Sequence, residues 1–128
     1  MVVTDTDILI DALERRAPDA VARVRGLAIR GELLTTAVTL FELTAGPRTT
    51  PAQLELIQAE LASVEVLPLT RGSADLAAAA HRMLARKGRT VPLPDTLIAA
   101  ICIEHGYPLL TRNLAHFERF VPFGLELA

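Results

Sequence analysis

Short apolar runs alternate with longer amphipathic segments along this chain. The runs are rich in Val, Leu and Ile, which is typical of buried strands, and they lie at 2–4, 32–38, 64–69 and 108–111. The intervening segments predict helices at 6–14, 18–30, 39–45, 51–62, 72–87 and 95–105, a short helical turn at 113–119, and a last edge strand in FGLELA. Strands that alternate with helices predict an α/β fold with a parallel sheet covered on both faces.

Length and composition indicate one cytoplasmic domain over residues 1–128. Apolar residues make up 51% of the chain, enough for one core, and no apolar run approaches the roughly 20 residues of a membrane span. The N-terminus lacks the features of a signal peptide. The single cysteine, Cys102, excludes an internal disulfide and predicts a buried, inert thiol. The net charge of −2 argues against a strongly basic nucleic-acid binder.

Acidic residues follow the first predicted strand in VVTDTDILID. Asp5 and Asp7 have an ordinary interpretation as caps of the next helix, and Asp11 as a solvated residue on its face. Glu42 has one too, because Thr39-Leu-Phe-Glu42 matches the T-x-x-E capping box. Asp95 is an acid at a helix start, which is also common. Taken singly, none of these acids requires a chemical role.

Their arrangement points further. Ligands of parallel sheets bind beyond the carboxyl ends of the strands, and Asp5, Glu42 and Asp95 are all expected at one such edge. Carboxylates crowded together repel one another unless a cation lies between them. Mg²⁺ prefers oxygen ligands and can activate water against a phosphodiester. The three histidines share no zinc-ligand spacing, and His81 and His105 are expected at the surface or a helix end.

Three longer stretches resemble the motifs of PIN domains: VVTDTDILIDAL, TTAVTLFELTAG and LPDTLIAAICIEHGYPLLTRNLAHFERF. The resemblance runs from about residue 2 to 127 and is greatest to the VapC-type toxins of bacterial toxin–antitoxin operons. It implies a three-layer α/β/α fold with a mostly parallel central sheet of four to five strands. It also implies an endoribonuclease that uses Mg²⁺, with Mn²⁺ as a substitute. The expected partners are a VapB-type antitoxin, an RNA substrate and a second toxin in a homodimer, with no membrane.

Position by position, the resemblance makes Asp5, Glu42 and Asp95 the metal-site acids, with Thr6 and Thr111 as the small hydroxyl residues beside them. Asn113 stands where relatives often have a fourth acid, and it is expected to position water in catalysis. Two more departures are His116, where Asp often precedes Phe, and Asp7, where Ser or Asn is usual; Asp7 is expected to restore part of the charge.

Arginines supply the candidate phosphate contacts. Arg112 adjoins the expected site, and a solvated surface residue is an equal interpretation. Arg82, Arg86 and Arg89 form a helix stripe that indicates either a backbone-tracking patch or a solvated face.

Two other functions stay open. One is an inactive PIN-like module that only binds RNA or protein, which Asn113 favours. The other, weaker alternative is a haloacid dehalogenase-type phosphatase, suggested by Asp5-Thr6-Asp7, although Lys87 is the only lysine available to it.

Overall fold

Four parallel strands form the centre of the molecule. The computed structural model describes residues 1–47 and 49–128. The strands are β1 (Val2–Thr4), β2 (Leu33–Thr36), β3 (Glu65–Leu67) and β4 (Leu109–Leu110), and their order across the sheet is β3-β2-β1-β4. Every pairing is parallel, with Val3 aligned to Leu34 on one side and to Leu109 on the other. The predicted α/β class and mostly parallel sheet are therefore confirmed.

Seven α-helices connect and cover the strands in the described residues. They are α1 (Thr6–Leu13), α2 (Pro18–Ile29), α3 (Ala37–Thr44), α4 (Pro51–Leu61), α5 (Arg71–Arg86), α6 (Leu93–His105) and α7 (Leu114–Phe117). A 3₁₀ helix, Glu118–Phe123, follows α7 directly. Local chemistry sets several boundaries. Pro51 follows the cap Thr50 at the start of α4, and Gly106 ends α6 with a φ of 74°, where a side chain would be strained.

The sheet separates two apolar cores, which gives the three layers. On one face, Val3, Leu34 and Leu109 pack with buried residues of α5, α6 and the C-terminal segment, including Phe117 and Phe120. On the other face, Leu33 and Leu110 pack with buried residues of α1, α2, α3 and α4. Neighbouring residues of one strand face opposite cores, as the pleat of a strand requires.

Two local predictions are wrong. FGLELA forms no strand; Leu127 makes a single bridge to Leu109, because Phe123 still belongs to the 3₁₀ helix and Gly124 turns the chain. Thr39 and Glu42 form no capping box either. Helix α3 begins at Ala37, and its cap is Thr36, whose side chain accepts from the backbone N–H of Thr39. Within the described ranges, no helix is long and apolar enough to cross a bilayer.

Candidate active site

The carboxyl ends of β1 and β4 form the point where the strand order changes direction. From β1 the chain crosses through α1 and α2 to β2 on one side, whereas β4 pairs with β1 on the other. A crevice opens at such a switch point in a parallel sheet. Asp5 directly follows β1 and Thr111 directly follows β4, so their side chains meet across this crevice.

Asp5 is both a helix cap and a buried acid. Its Oδ1 accepts from the backbone N–H of Ile8 at 3.0 Å, so the capping interpretation is confirmed. Its Oδ2 accepts from the Thr111 hydroxyl at 2.5 Å. The residue is only 2% exposed. Each carboxylate oxygen thus has one hydrogen-bond donor and keeps a second lone pair for another ligand.

The charge of Asp5 is not compensated. Burial raises the pKa of Asp5 to about 6, against the two hydrogen bonds that lower it, and the charges of Asp7 and Asp95 raise it further. Among the described residues, no cationic side chain forms an ion pair with Asp5. Asp7 itself is exposed in the first turn of α1. A cation bound to Asp5 would offset the repulsion between this buried carboxylate and the neighbouring negative charges.

Glu42 accepts a hydrogen bond from a chain of threonine hydroxyl groups and takes no part in a capping box. Thr6 Oγ1 lies 2.5 Å from Glu42 Oε1 and 3.2 Å from Thr39 Oγ1, which in turn lies 3.3 Å from Thr36 Oγ1. Each hydroxyl carries one hydrogen, and the short contact assigns that of Thr6 to Glu42. Thr39 then donates to Thr6, and Thr36 donates to Thr39. The chain leads from the cap of α3 to the carboxylate.

Asp95 belongs to a second polar group, formed with His116 and Asn113. Asp95 Oδ2 lies 2.8 Å from His116 Nδ1, and the same ring nitrogen lies 2.8 Å from Asn113 Nδ2. One nitrogen cannot both donate to Asp95 and accept from Asn113. We therefore place a proton on Nδ1, which donates to Asp95. The side-chain amide of Asn113 is then turned so that its oxygen accepts from the same N–H group. Sequence reasoning noted His116 only as a departure from the family; its contact with Asp95 depends on the fold.

Arg112 is paired with Asp11, for which the sequence predicted a solvated position. Arg112 Nη1 donates to Asp11 Oδ2 at 2.7 Å, and 56% of the Arg112 side chain is exposed. This contact ties the segment after β4 to α1. The guanidinium therefore lies near the crevice but already has an acidic partner.

The three predicted acids do not form a ready-made metal cage. The charge of Asp95 acts on Asp5, and Glu42 binds the hydroxyl of Thr6, the residue next to Asp5. Within residues 1–47 and 49–128, no three acidic, His or Cys side chains are arranged to hold an ion. The available donors are carboxylate, hydroxyl and amide oxygens, which suit Mg²⁺ chemically. Glu42 and Asp95 each have one carboxylate oxygen engaged, by Thr6 and by His116, and each keeps the other oxygen for an ion.

Comparison with known proteins identifies the family of the chain. The family model of the PIN domain matches residues 2–120. The chain belongs to the PIN domain family. The resemblance inferred from the sequence motifs is thereby confirmed, and the match leaves the phosphatase alternative without support.

Individual PIN-domain relatives are similar over different lengths. The chain is 40% identical over 47 residues to Ribonuclease VapC1 of Methanocaldococcus jannaschii, a match that covers 37% of this chain and only 35% of that protein. Two solved structures extend over nearly the whole fold. VapBC2 from Rickettsia felis, bound to a promoter DNA fragment, has a TM-score of 0.85 and 20% identity, with 100% of this chain and 98% of that chain covered. DNA-bound VapBC from Salmonella typhimurium has a TM-score of 0.84 and 25% identity, covering 99% and 96%. These likenesses confirm the three-layer PIN-like fold.

Proposed function

We propose that this PIN domain is a cytoplasmic, divalent-metal-dependent endoribonuclease and the toxin of a toxin–antitoxin pair. The observation that carries the proposal is Asp5, a buried and uncompensated carboxylate at the switch point of the sheet, with Asp95 near enough to raise its pKa. The likeness to a protein named as a ribonuclease supports the reaction class. Mg²⁺ is the proposed cofactor, and Mn²⁺ the proposed substitute.

Asp5 and Asp95 would hold the ion, with Glu42 as a third ligand or as an acceptor for water. A divalent ion in such a site activates water and offsets the charge that develops on a phosphodiester. The other residues orient these acids. Thr111 fixes one oxygen of Asp5, Thr6 fixes Glu42, and His116 fixes Asp95. Asn113 supports His116 and supplies no charge to the site.

The partners follow from the same comparison. VapBC2 from Rickettsia felis and VapBC from Salmonella typhimurium share this fold, and VapBC-5 from Mycobacterium tuberculosis, which is also similar, is named as a member of the VapBC family of toxin–antitoxin systems. We therefore propose a VapB-type antitoxin as the protein partner, RNA as the substrate, and a homodimer as the assembly. Arg112 is the proposed phosphate contact beside the crevice, reached by exchanging Asp11 for phosphate.

A second candidate function is a PIN-like module that binds RNA or protein without cutting. One observation favours it: Glu42 and Asp95 are engaged by Thr6 and His116, and no trio of ligands is pre-arranged in the described residues. Such a module would tolerate loss of the acids without loss of function.

The test is RNA cleavage by the purified protein, freed of any co-purifying partner. A folded RNA pool is incubated with Mg²⁺ or Mn²⁺, and the products are resolved on a denaturing gel. Asp5→Asn and Asp95→Asn are the test variants, and EDTA removes the metal. Asp75→Asn is the matched control, because Asp75 is an exposed acid of α5 paired only with Arg71.

We expect cleavage by the wild type and by Asp75→Asn, and at least a hundredfold loss in the two test variants and in EDTA. Isothermal titration with Mn²⁺ separates the two candidate functions. Metal binding that depends on Asp5 supports the nuclease, whereas an inert protein that binds no metal but retains RNA or protein binding supports the module.

A further inference from the structure

The C-terminal end of α5 and the loop after it carry an unusually one-sided charge. Residues 76–94 contain no Asp or Glu but include Arg82, Arg86, Lys87 and Arg89, in a chain whose net charge is −2. All four side chains are exposed. Over the described ranges, none of the four forms an ion pair. The positive charge is therefore available to an outside anion.

Part of this segment lines a cleft of about 390 Å³ against the 3₁₀ helix. Its cations are Lys87, Arg89 and Arg119, and Glu118 is the one acid in its lining. Its apolar wall includes Met83 and Phe123, and Met83 is 46% exposed. We refer to it as the basic cleft. Cations around an apolar, aromatic wall are the combination that binds single-stranded nucleic acid, by phosphate contact and base stacking.

Arg119 holds one wall of the cleft in place. Its Nη1 donates to the backbone oxygens of Arg89 and Thr90, at 3.3 and 3.1 Å. Its Nε is buried and has no partner within the described part of the chain. The guanidinium thus fixes the loop that carries Arg89. A side chain already held by two carbonyls loses little further entropy when it meets a phosphate.

The basic cleft is linked to the candidate active site through short stretches of chain. Arg119 comes three residues after His116, which contacts Asp95. The loop that Arg119 holds ends at Leu93, where α6 begins two residues before Asp95. Short stretches of chain therefore connect Asp95 and His116 to residues that line the cleft.

We propose that the basic cleft binds the single-stranded RNA segment next to the cleaved phosphodiester. Lys87 and Arg89 contact its phosphates, and a base packs against Phe123 and Met83. The inference rests on the proposed function for its ligand, since RNA is the proposed substrate. It adds the site that receives the strand beyond the acids.

The test measures RNA binding without cleavage. A fluorescein-labelled single-stranded RNA of about 12 nucleotides, within the ~4–16 nucleotide range of single-strand sites, is titrated with protein in EDTA and followed by anisotropy. The test variant is Lys87→Glu with Arg89→Glu. We expect its affinity to fall at least tenfold and its salt slope to shrink by about 1.4, at ~0.7 per phosphate contact.

The matched control is Arg25→Glu with Arg71→Glu, which changes the net charge equally at exposed positions of α2 and α5. It should bind within about twofold of the wild type, because separated surface charges act weakly through salt. Phe123→Leu keeps an apolar side chain at this half-buried position and removes the aromatic stacking face. It should weaken RNA binding while leaving the salt slope unchanged.

Three results would overturn the inference: equal losses in both double variants, wild-type binding by Lys87→Glu with Arg89→Glu, or equal affinity for duplex DNA with no effect of Phe123→Leu. The nuclease proposal fails separately. If the protein binds RNA through the cleft but does not cleave it with Mg²⁺, the RNA-binding inference stands and the nuclease proposal is refuted.

Discussion

Asp5→Asn should stabilise the metal-free protein at neutral pH. Asp5 is 2% exposed, and the charges of Asp7 and Asp95 oppose its own. Asn is nearly the same size and carries no charge. Its oxygen can still accept from the backbone N–H of Ile8, and its amide can donate to the Thr111 hydroxyl oxygen. The substitution removes the buried charge and leaves the packing intact.

The magnitude follows from the pKa of Asp5. The folded state raises it from 3.8 to about 6, chiefly by burial. At about 1.4 kcal/mol per pH unit, this amounts to about 3 kcal/mol. Because the folded pKa is raised, the native state holds the proton more tightly. The contribution of Asp5 to the free energy of unfolding is therefore fully present below about pH 4, is lost as the pH rises toward 6, and stays absent above it.

The assay is thermal unfolding in EDTA, followed by circular dichroism between pH 4 and pH 8. For 128 residues the unfolding entropy is about 0.27 kcal/mol/K, so about 3 kcal/mol corresponds to roughly 10 °C at pH 7. The gain of Asp5→Asn over the wild type should vanish near pH 4. Asp75→Asn, at an exposed acid, should shift stability by no more than about 0.5 kcal/mol at any pH.

A gain that does not change with pH would refute the reasoning, because it would come from packing and not from the carboxyl group. No gain at pH 7 would refute it as well, since burial would then not disfavour the charge. Adding Mg²⁺ provides a further comparison. It should raise the midpoint of the wild type and leave that of Asp5→Asn nearly unchanged, because the proposed ligand is gone.

Three further predictions concern the hydroxyl chain, the thiol and the core. Thr39→Val should lower the free energy of unfolding in urea by about 1–3 kcal/mol, because it leaves the buried hydroxyls of the chain to Glu42 short of a partner; a change below about 0.5 kcal/mol would contradict the chain. Cys102, whose pKa burial raises to about 12, should resist a thiol reagent at pH 8 until the protein is unfolded, and rapid modification of the native protein would contradict this. Phe117→Ala should cost about 3–5 kcal/mol in the same urea assay, whereas Phe41→Ala, at a side chain 68% exposed, should cost far less, and equal losses would contradict the core assignment.

The sequence predicted most helices and strands because local residue chemistry sets their boundaries. The observed helices and strands lie within one to three residues of the predicted ones because each starts or ends at a strong local signal, such as Pro18, Pro51 or Gly106. The wrong prediction at FGLELA shows where a local pattern is insufficient. Its alternating pattern is typical of a strand, but the 3₁₀ helix includes Phe123, and only Glu126–Ala128 reach the edge of β4, where they pair with Leu109 alone.

The site divides in the same way. Residue types and their places after strands determined which acids were candidates, because parallel strands end at one edge. Only the tertiary structure decided what holds each acid. Thr111 lies 106 positions from Asp5, and His116 lies 21 from Asp95, distances over which no local pattern acts. Burial, which raises the pKa of Asp5, is likewise a property of the assembled layers. The sequence therefore identified the candidate carboxylates, and packing across the sheet determined their hydrogen-bond partners and raised the pKa of Asp5.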